Sequence, residues 1–474
     1  MSLCTELDKR IKNGIVTVIG IGVSNRPLID YLLKKGARIT ARDKKDYDSL
    51  MPYSGELEKM GVKLILGGNY LDSINEDVIF RAPGIRPDLP QISEAIKNGA
   101  LLTSEMELFF ELSPAKILAI TGSDGKTTTT TLTYKLLEEE LKKKGKGRAW
   151  VGGNIGAPLL PYVDEMTEED FAVLELSSFQ LFTMRRSPNR AIITNVTPNH
   201  LDWHRDMDEY IEAKCNICRH FPISHITVNS ENDVTAEIGR NSDIQTTFFS
   251  SKNIDYSKIT HLKENASAIY EKDGFITYSD GKTEEKILRT EDIKLPGRHN
   301  VENYMAAISI TRGLVSNETI ESIAKSFGGV AHRLEFVREL GGVKYYNSSI
   351  DSSPTRTAAA LSALSEKPII ICGGYDKLIP FEPLAEALCK KAKTVILTGA
   401  TAKKIKAALL SCPLFDGDKL PIIEKADFEE AVKAAANAAR KGDTVLLSPA
   451  CASFDAFPNF EIRGNRFKEI VNSL

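Results

Sequence analysis

The sequence predicts an α/β protein of more than one domain, built on open, mostly parallel sheets. Three observations carry this. Short apolar runs rich in β-branched residues alternate with helical patterns along the chain. One of them, 117–120, passes at once into Gly122, Gly125, Lys126 and Thr127 and then into a helical stretch. That is the strand, glycine turn and helix of a phosphate-binding loop. The chain has 474 residues, more than a single core supports, so two to four domains are expected.

Composition narrows the class. The chain is 42% hydrophobic and 26% charged, as in an ordinary globular protein. Its formal net charge of −3, without a strongly basic region, argues against nucleic acid as a partner. No run of 18 apolar residues and no apolar N-terminal segment is present, so membrane insertion and export are not expected. Seven scattered cysteines suit reduced thiols in a cytoplasm. Cys215 and Cys218 lack a second pair for zinc and read as helix packing.

Taken in order, Ile15–Ile19 is a buried-strand run followed by Gly20-Ile-Gly22-Val23-Ser24-Asn25, a helical pattern and a second strand ending Thr40-Ala41-Arg42-Asp43. The dinucleotide fingerprint wants a glycine where Asn25 stands and an acid closing the second strand. The turn therefore suits a phosphate or is plain scaffold, and a nicotinamide cofactor has little support. Runs at 64–66 and 78–81 continue the pattern, the latter entering Ala82-Pro-Gly84-Ile-Arg86-Pro87. Pro114 marks a boundary before the phosphate-binding loop. Beyond it come a glycine-rich turn at 151–156, a strand at 171–174 ending in Glu175, a strand at 191–194 leading to His200, and a helix carrying Tyr210 and Lys214. Strand-like pieces and charged loops fill 226–290, and 295–300 punctuates the chain before the helix with Asn303. A last domain begins near 331, with strands at 343–347, 368–372, 394–397 and 444–447.

The polar residues cluster at predicted strand C-termini, where open parallel sheets gather ligands. Gly122 and Gly125 let the backbone turn its N–H groups inward around Ser123 and Asp124, and the helix start at Thr127 and Thr128 adds more. Lys126 would reach outer phosphates, while Thr127 and Glu175 would share Mg²⁺ with ATP. The loop is two residues shorter than the common form. His200 is a candidate ligand for a second metal or a surface group. Lys214 would ordinarily repel a cation. Either it forms a surface salt bridge, or its neutral amine has taken up CO₂ as a carbamate.

The ordered set Thr121-Gly-Ser-Asp-Gly-Lys-Thr-Thr128, Gly153-Asn-Ile-Gly156, Glu175-Leu-Ser-Ser-Phe-Gln-Leu181, Thr194-Asn-Val-Thr-Pro-Asn-His-Leu-Asp202, Leu295-Pro-Gly-Arg-His-Asn-Val-Glu-Asn303, His332-Arg-Leu-Glu335, Leu447-Ser-Pro-Ala-Cys-Ala-Ser453 and Arg463-Gly-Asn-Arg-Phe467 resembles the Mur ligase superfamily, closest to its D-glutamate-adding branch. The resemblance implies three domains: a Rossmann-like N-terminal domain over 1–112, a central P-loop mononucleotide-binding α/β domain over 113–329, and a Rossmann-like C-terminal α/β domain over 330–474. It implies a cytoplasmic, monomeric enzyme of peptidoglycan precursor synthesis. ATP and two Mg²⁺ would serve it, and its substrates would be UDP-MurNAc-L-alanine (UDP-N-acetylmuramoyl-L-alanine) and D-glutamate.

Residue roles follow from the same resemblance. Gly22, Val23, Ser24, Arg42, Gly84 and Asn154 would hold the UDP-substrate, with Asp43 nearby. The loop residues 122–128 with Asn300, Asn303 and Arg333 would hold ATP. Thr127, Glu175, His200 and a carbamylated Lys214 would hold metal, and Lys126, Glu175, His200 and Lys214 would be catalytic. Ser352, Lys377, Ser453, Phe454 and Phe460 would form the D-glutamate pocket. The chain departs from the family at Ser348, where many members have an acid, and at Tyr375-Asp376-Lys377, where the acid has moved one place. Asp351 and Asp376 are the candidate replacements. The Asp-Asn-Pro-Arg pattern of a diaminopimelate site is missing. Rival readings are another Mur-like or folylpolyglutamate-type ligase and, in a different class, an NAD-binding oxidoreductase.

Overall fold

A computed structural model describes residues 10–474 except 12–13, 23, 202, 253–255, 261–262, 296 and 377–379. The chain falls into two compact units. The second comprises Ile293–Gly297 and Ala324–Leu474, and the first is the rest.

The first unit holds two sheets. One contains β1 (Ile15–Ile19), β2 (Arg38–Asp43), β3 (Lys63–Leu66), β4 (Val78–Arg81) and β5 (Leu101–Thr103) in the order β3-β2-β1-β4-β5, all parallel. The order reverses between β1 and β4, so the turns after these two strands, at 20–24 and 82–87, flank the crevice where such sheets bind ligands.

The other contains β6 (Lys116–Thr121), β7 (Ala149–Gly153), β8 (Phe171–Glu175), β9 (Arg190–Ile193), β10 (His225–Asn229), β11 (Gln245–Ser250), β12 (Ala266–Lys272), β13 (Phe275–Ser279) and β14 (Glu284–Arg289). Its order is β14-β13-β12-β11-β10-β9-β6-β8-β7. The strands from β7 to β12 are parallel, and β12, β13 and β14 form an antiparallel meander. Strand β6 lies between β8 and β9, so residues from three strand ends converge on one edge of the sheet. The interior strands are buried on both faces, which is why β6 and β8 read as unbroken apolar runs rather than alternating ones. One hydrophobic core joins residues of both sheets, including Val16, Phe80, Ala119 and Leu174.

The second unit holds β15 (Glu335–Leu340), β16 (Val343–Asn347), β17 (Ile369–Cys372), β18 (Thr394–Leu397), β19 (Ile422–Glu424) and β20 (Thr444–Leu447), ordered β15-β16-β20-β17-β18-β19. Only the β15–β16 pairing is antiparallel. Separate apolar clusters pack the two faces, around Ile370 and Val395 on one side and Ile371 and Val445 on the other.

The structure corrects the expected glycine turn at 151–156. Residues 149–153 form the edge strand β7, and the turn begins at Asn154. Gly152 and Gly153 belong to the strand because it crowds its neighbours: a methyl on Gly153 would fall against the backbone of Glu175. Strands β5, β15 and β19 carry no clear apolar run in the sequence. β5 and β19 have three residues each, and β15 carries Glu335, Arg338 and Glu339 at an edge. Among the described residues no helix is long and apolar enough to cross a membrane. The six described cysteines are free thiols, as the composition suggested.

Candidate active site

The phosphate-binding loop is the four residues between β6 and the helix Lys126–Lys144. Gly122 and Gly125 have φ of +145° and +79°, which L side chains rarely adopt. There is no room for one either. A methyl on Gly122 would fall on Thr194 Oγ1, and one on Gly125 would lie 2.7 Å from Asn303 Oδ1. The loop is braced from the end of β9. Ser123 N–H donates to the Asn195 carbonyl at 2.8 Å, Asp124 N–H to Asn195 Oδ1 at 2.9 Å, and Thr194 Oγ1 to the Asp124 carbonyl at 2.6 Å. Lys126 Nζ donates to the Ser123 carbonyl at 2.9 Å, so the lysine lies back over its own loop. Thr127 and Thr128 open the helix, where N–H groups without intrahelical partners and the helix dipole favour an anion.

Glu175 ends β8, in register with Ile120 on one side and Gly153 on the other. It is 2% exposed. Asn154 Nδ2 donates to its Oε1 at 2.8 Å, while Oε2 has no hydrogen-bond partner among the described residues. A buried carboxylate oxygen without a donor is costly, and a hard cation would satisfy it. The unpartnered Glu175 oxygen therefore fits a ligand to Mg²⁺. Among the described residues no three His, Cys, Asp or Glu side chains gather as a metal site, so further ligands would be oxygens of other kinds.

Lys214 sits on the helix Met207–Cys215 and is 1% exposed, which rules out the surface salt bridge. Its Nζ donates to the Gly122 carbonyl at 2.7 Å and lies 4.6 Å from the centroid of the Tyr210 ring. Burial, and then the positive charge of Lys126, push its ammonium well below the usual lysine range. That favours the neutral amine, the form that reacts with CO₂. Tyr210 in turn shares a 3.0 Å hydrogen bond with Ser123 Oγ, joining this helix to the loop.

His200 follows β9 on an exposed turn with φ of +55°. Its ring stands edge-on to Phe179 at 4.8 Å, and Phe179 lies on the short helix Ser178–Leu181 just after Glu175. Asn300 and Asn303 are in the first turns of the helix Arg298–Thr311. Asn303 Oδ1 accepts from Thr129 Oγ1 at 3.1 Å, which turns its amide to the phosphate-loop helix, and its Nδ2 donates to Asn300 Oδ1 at 3.1 Å.

In the first sheet, Gly22 is exposed, with open space where a side chain would stand. Its carbonyl accepts from the N–H groups of Asn25 and Arg26, and Ser24 precedes the helix Asn25–Lys34 without a side-chain capping bond. Asp43 fixes the turn by accepting from Ile21 N–H at 2.7 Å. Gly84 is likewise open at its Cα. Arg42 is a correction. It is buried, and its guanidinium donates to Thr17 Oγ1, to the Tyr70, Asp72 and Ser73 carbonyls, and to Glu76. Every donor is spent inside the fold, so none is left for a nucleotide. Val23 lies outside the described residues.

In the second unit, Arg333 stands between His332 and Leu334, both at positive φ, and its N–H donates to the Val330 carbonyl at 3.0 Å. Ser348 takes a structural part, its Oγ accepting from Leu334 N–H at 3.1 Å. Asp351 is buried beside it and accepts from Ser448 Oγ at 2.8 Å. Burial raises its carboxyl above the usual range, with the Arg333 charge among the effects opposing this. Asp376 is paired with Lys404. Ser453 is buried and its carbonyl accepts from Ala456 and Phe457 N–H. Phe454 is 64% exposed and edge-on to Tyr375, and Phe460 is edge-on to His332. Ser352 N–H donates to the Ile350 carbonyl. Lys377 lies outside the described residues.

Comparison with known proteins bears on this arrangement. Residues 14–104 match the description of a MurD-like N-terminal domain of Mur ligases, 120–311 a Mur ligase middle domain, and 332–451 a Mur ligase glutamate ligase domain. The chain is 48% identical over 473 residues to the UDP-N-acetylmuramoylalanine--D-glutamate ligase of Acetivibrio thermocellus, covering 99% of this chain and 98% of that one. It belongs to the Mur ligase family. The enzyme of the same name from Clostridium novyi is also 48% identical, with 99% of each chain covered. The Mur ligase fold is seen too in a UDP-N-acetylmuramate-alanine ligase from Thermotoga maritima, with a TM-score of 0.55 at 19% identity, covering 97% of this chain and all of that one. A MurF ligase from the same organism, solved with ADP, gives 0.52 at 18% identity, covering 98% of this chain and 97% of that one. Thr194 and Asn195 brace the phosphate loop, a task that no local pattern in the sequence marks.

Proposed function

We propose that this chain is the ATP-dependent ligase that adds D-glutamate to UDP-N-acetylmuramoyl-L-alanine, a cytoplasmic step of peptidoglycan precursor synthesis, and that it works as a monomer. The full-length likeness to ligases of that name supports the substrate pair. One observation carries the chemistry: Glu175, held through one oxygen by Asn154 and with its other oxygen unpartnered, borders the strand whose loop carries Lys126.

In this reading the turns at 20–24 and 82–87 seat the uridine nucleotide, with the domains divided near 112 and 329. Mg²⁺, held by Thr127 and Glu175, with a second ion at His200 and a carbamylated Lys214, would neutralise phosphate charge. An oxygen of the alanyl carboxylate attacks the γ-phosphorus of ATP and the bond to ADP breaks, giving an acyl phosphate. The amine of D-glutamate then attacks the activated carbonyl carbon and loses a proton. The bond to phosphate breaks and an amide remains. Little covalent work falls to the protein. The loop N–H groups, Lys126, Asn300 and Asn303 align and neutralise the triphosphate. Ser352, Lys377, Ser453, Phe454 and Phe460 receive the amino acid. Asp351, raised by burial, stands in for the acid absent at 348.

The test is a product assay with three acceptors. D-glutamate should yield ADP and amide in equal amounts. Turnover with L-lysine or a folate in its place would assign the chain to another branch of the family.

A further inference from the structure

The Trp203 side chain and backbone touch three parts of the proposed site at once. Its Nε1–H donates to the Gly84 carbonyl at 2.9 Å, on the turn after β4. Its backbone N–H donates to the His200 carbonyl at 3.1 Å, closing the turn that carries the imidazole. Its ring packs 4.8 Å from that of Phe179, which His200 also meets edge-on at 4.8 Å. Arg86 fastens the same junction. It donates to the Trp203 carbonyl at 2.7 Å and grips both oxygens of Glu209 at 2.9 Å, with its guanidinium 4.9 Å from the indole centroid. On the other side of the turn, buried Arg81 donates to the Pro83 and Ile85 carbonyls, and to Phe179 O and Thr183 Oγ1, all at 3.0 Å. The turn at 82–87 is thus bolted to the segments behind Glu175 and His200 rather than resting on them.

We propose that Trp203 is a positioning residue that couples seating of a uridine-diphosphate sugar on the Gly84 turn to the placement of His200, so that occupancy of the first sheet and of the Mg²⁺–nucleotide site are thermodynamically linked. The inference rests on the ligand assignments made above. The indole is suited to it because a single rigid side chain donates at one end and packs at the other. Such coupling is reciprocal: each ligand tightens the other by the same factor. Phosphate transfer tolerates little misplacement, which gives the linkage a purpose.

The test is calorimetric, on the full chain. Binding of UDP-N-acetylmuramoyl-L-alanine is measured with and without Mg²⁺ and a non-hydrolysable ATP analogue, in the wild type and in Trp203→Phe, which keeps a ring and loses the donor. The wild type should show coupling of about fivefold or more, and Trp203→Phe should bring it close to one while the thermal midpoint moves little. Arg86→Lys, which loses the paired grip on Glu209, should weaken the coupling as well and serves if the first variant does not fold. A residue that merely supported the fold would lower stability and leave the ratio of affinities unchanged. Coupling near one in the wild type, or coupling intact in both variants, overturns the proposal. Failure of the wild type to bind either ligand would instead overturn the functional reading beneath it.

Discussion

Asn154 is joined to Glu175 twice: its side-chain amide donates to Oε1 and its backbone N–H to the Glu175 carbonyl, each at 2.8 Å. The turn that follows edge strand β7 thereby aims a carboxylate carried by the neighbouring strand. Removing the amide leaves a second buried oxygen without a donor. Asn154→Ala should lower kcat by about 10–100-fold, the usual cost of losing a partner that orients a metal ligand. Steady-state kinetics at varied Mg²⁺ checks this, and the magnesium needed for half-maximal rate should rise.

Gly122→Ala tests the loop itself. The added methyl would strike Thr194 Oγ1 and lie 3.1 Å from the Asn195 carbonyl oxygen, at a φ of +145°. Strain of this kind costs about 1–3 kcal/mol. Urea unfolding should show a loss of that size, and ATP binding should fall with it.

Much of the first unit was legible because its chemistry is local. A parallel strand buried on both faces writes itself as an apolar run, and glycines that must turn a loop appear beside it. Lys126, Thr127 and Glu175 stand where those signals put them. What was hidden depends on partners distant in sequence. The internal partners of Arg42, Thr17 and Glu76, lie 25 residues before it and 34 after it. Buried Lys214 finds its acceptor at the Gly122 carbonyl, 92 residues away, and the tie from Trp203 to Gly84 spans 119. No local pattern encodes such pairings. Strand β7 is disguised in the sequence because the closeness of Glu175 requires glycine, a poor strand residue.

Lys214→Ala should be severely impaired with the fold intact, since the side chain is buried beside the loop and held towards its neutral form. Added acetate or propionate should restore part of the rate by supplying the carboxylate-like group that a carbamate would. Circular dichroism confirms folding, and absence of any recovery counts against the carbamate.

Glu105 gives a pH signature separate from catalysis. It is buried, its Oε1 has no partner among the described residues, and burial pushes its carboxyl up to about 7 from an ordinary 4.5. Between these values the folded chain keeps a proton that the unfolded chain releases. Stability is therefore fully present at the acid end and falls as pH rises towards 7, by on the order of 3 kcal/mol from this group. Glu107, also pushed up to about 7, acts in the same direction. Denaturant midpoints measured across that range should decline less steeply in Glu105→Gln than in the wild type.

The central claim is that the phosphate loop delivers the end of a triphosphate to a carboxylate. Isotope transfer tests it most directly. UDP-N-acetylmuramoyl-L-alanine labelled with ¹⁸O in its carboxylate is turned over with ATP, Mg²⁺ and D-glutamate, and the released phosphate is analysed by mass spectrometry. One labelled oxygen per phosphate is the predicted result, because the attacking oxygen leaves with the phosphoryl group. Amide formation accompanied by unlabelled phosphate would contradict the account.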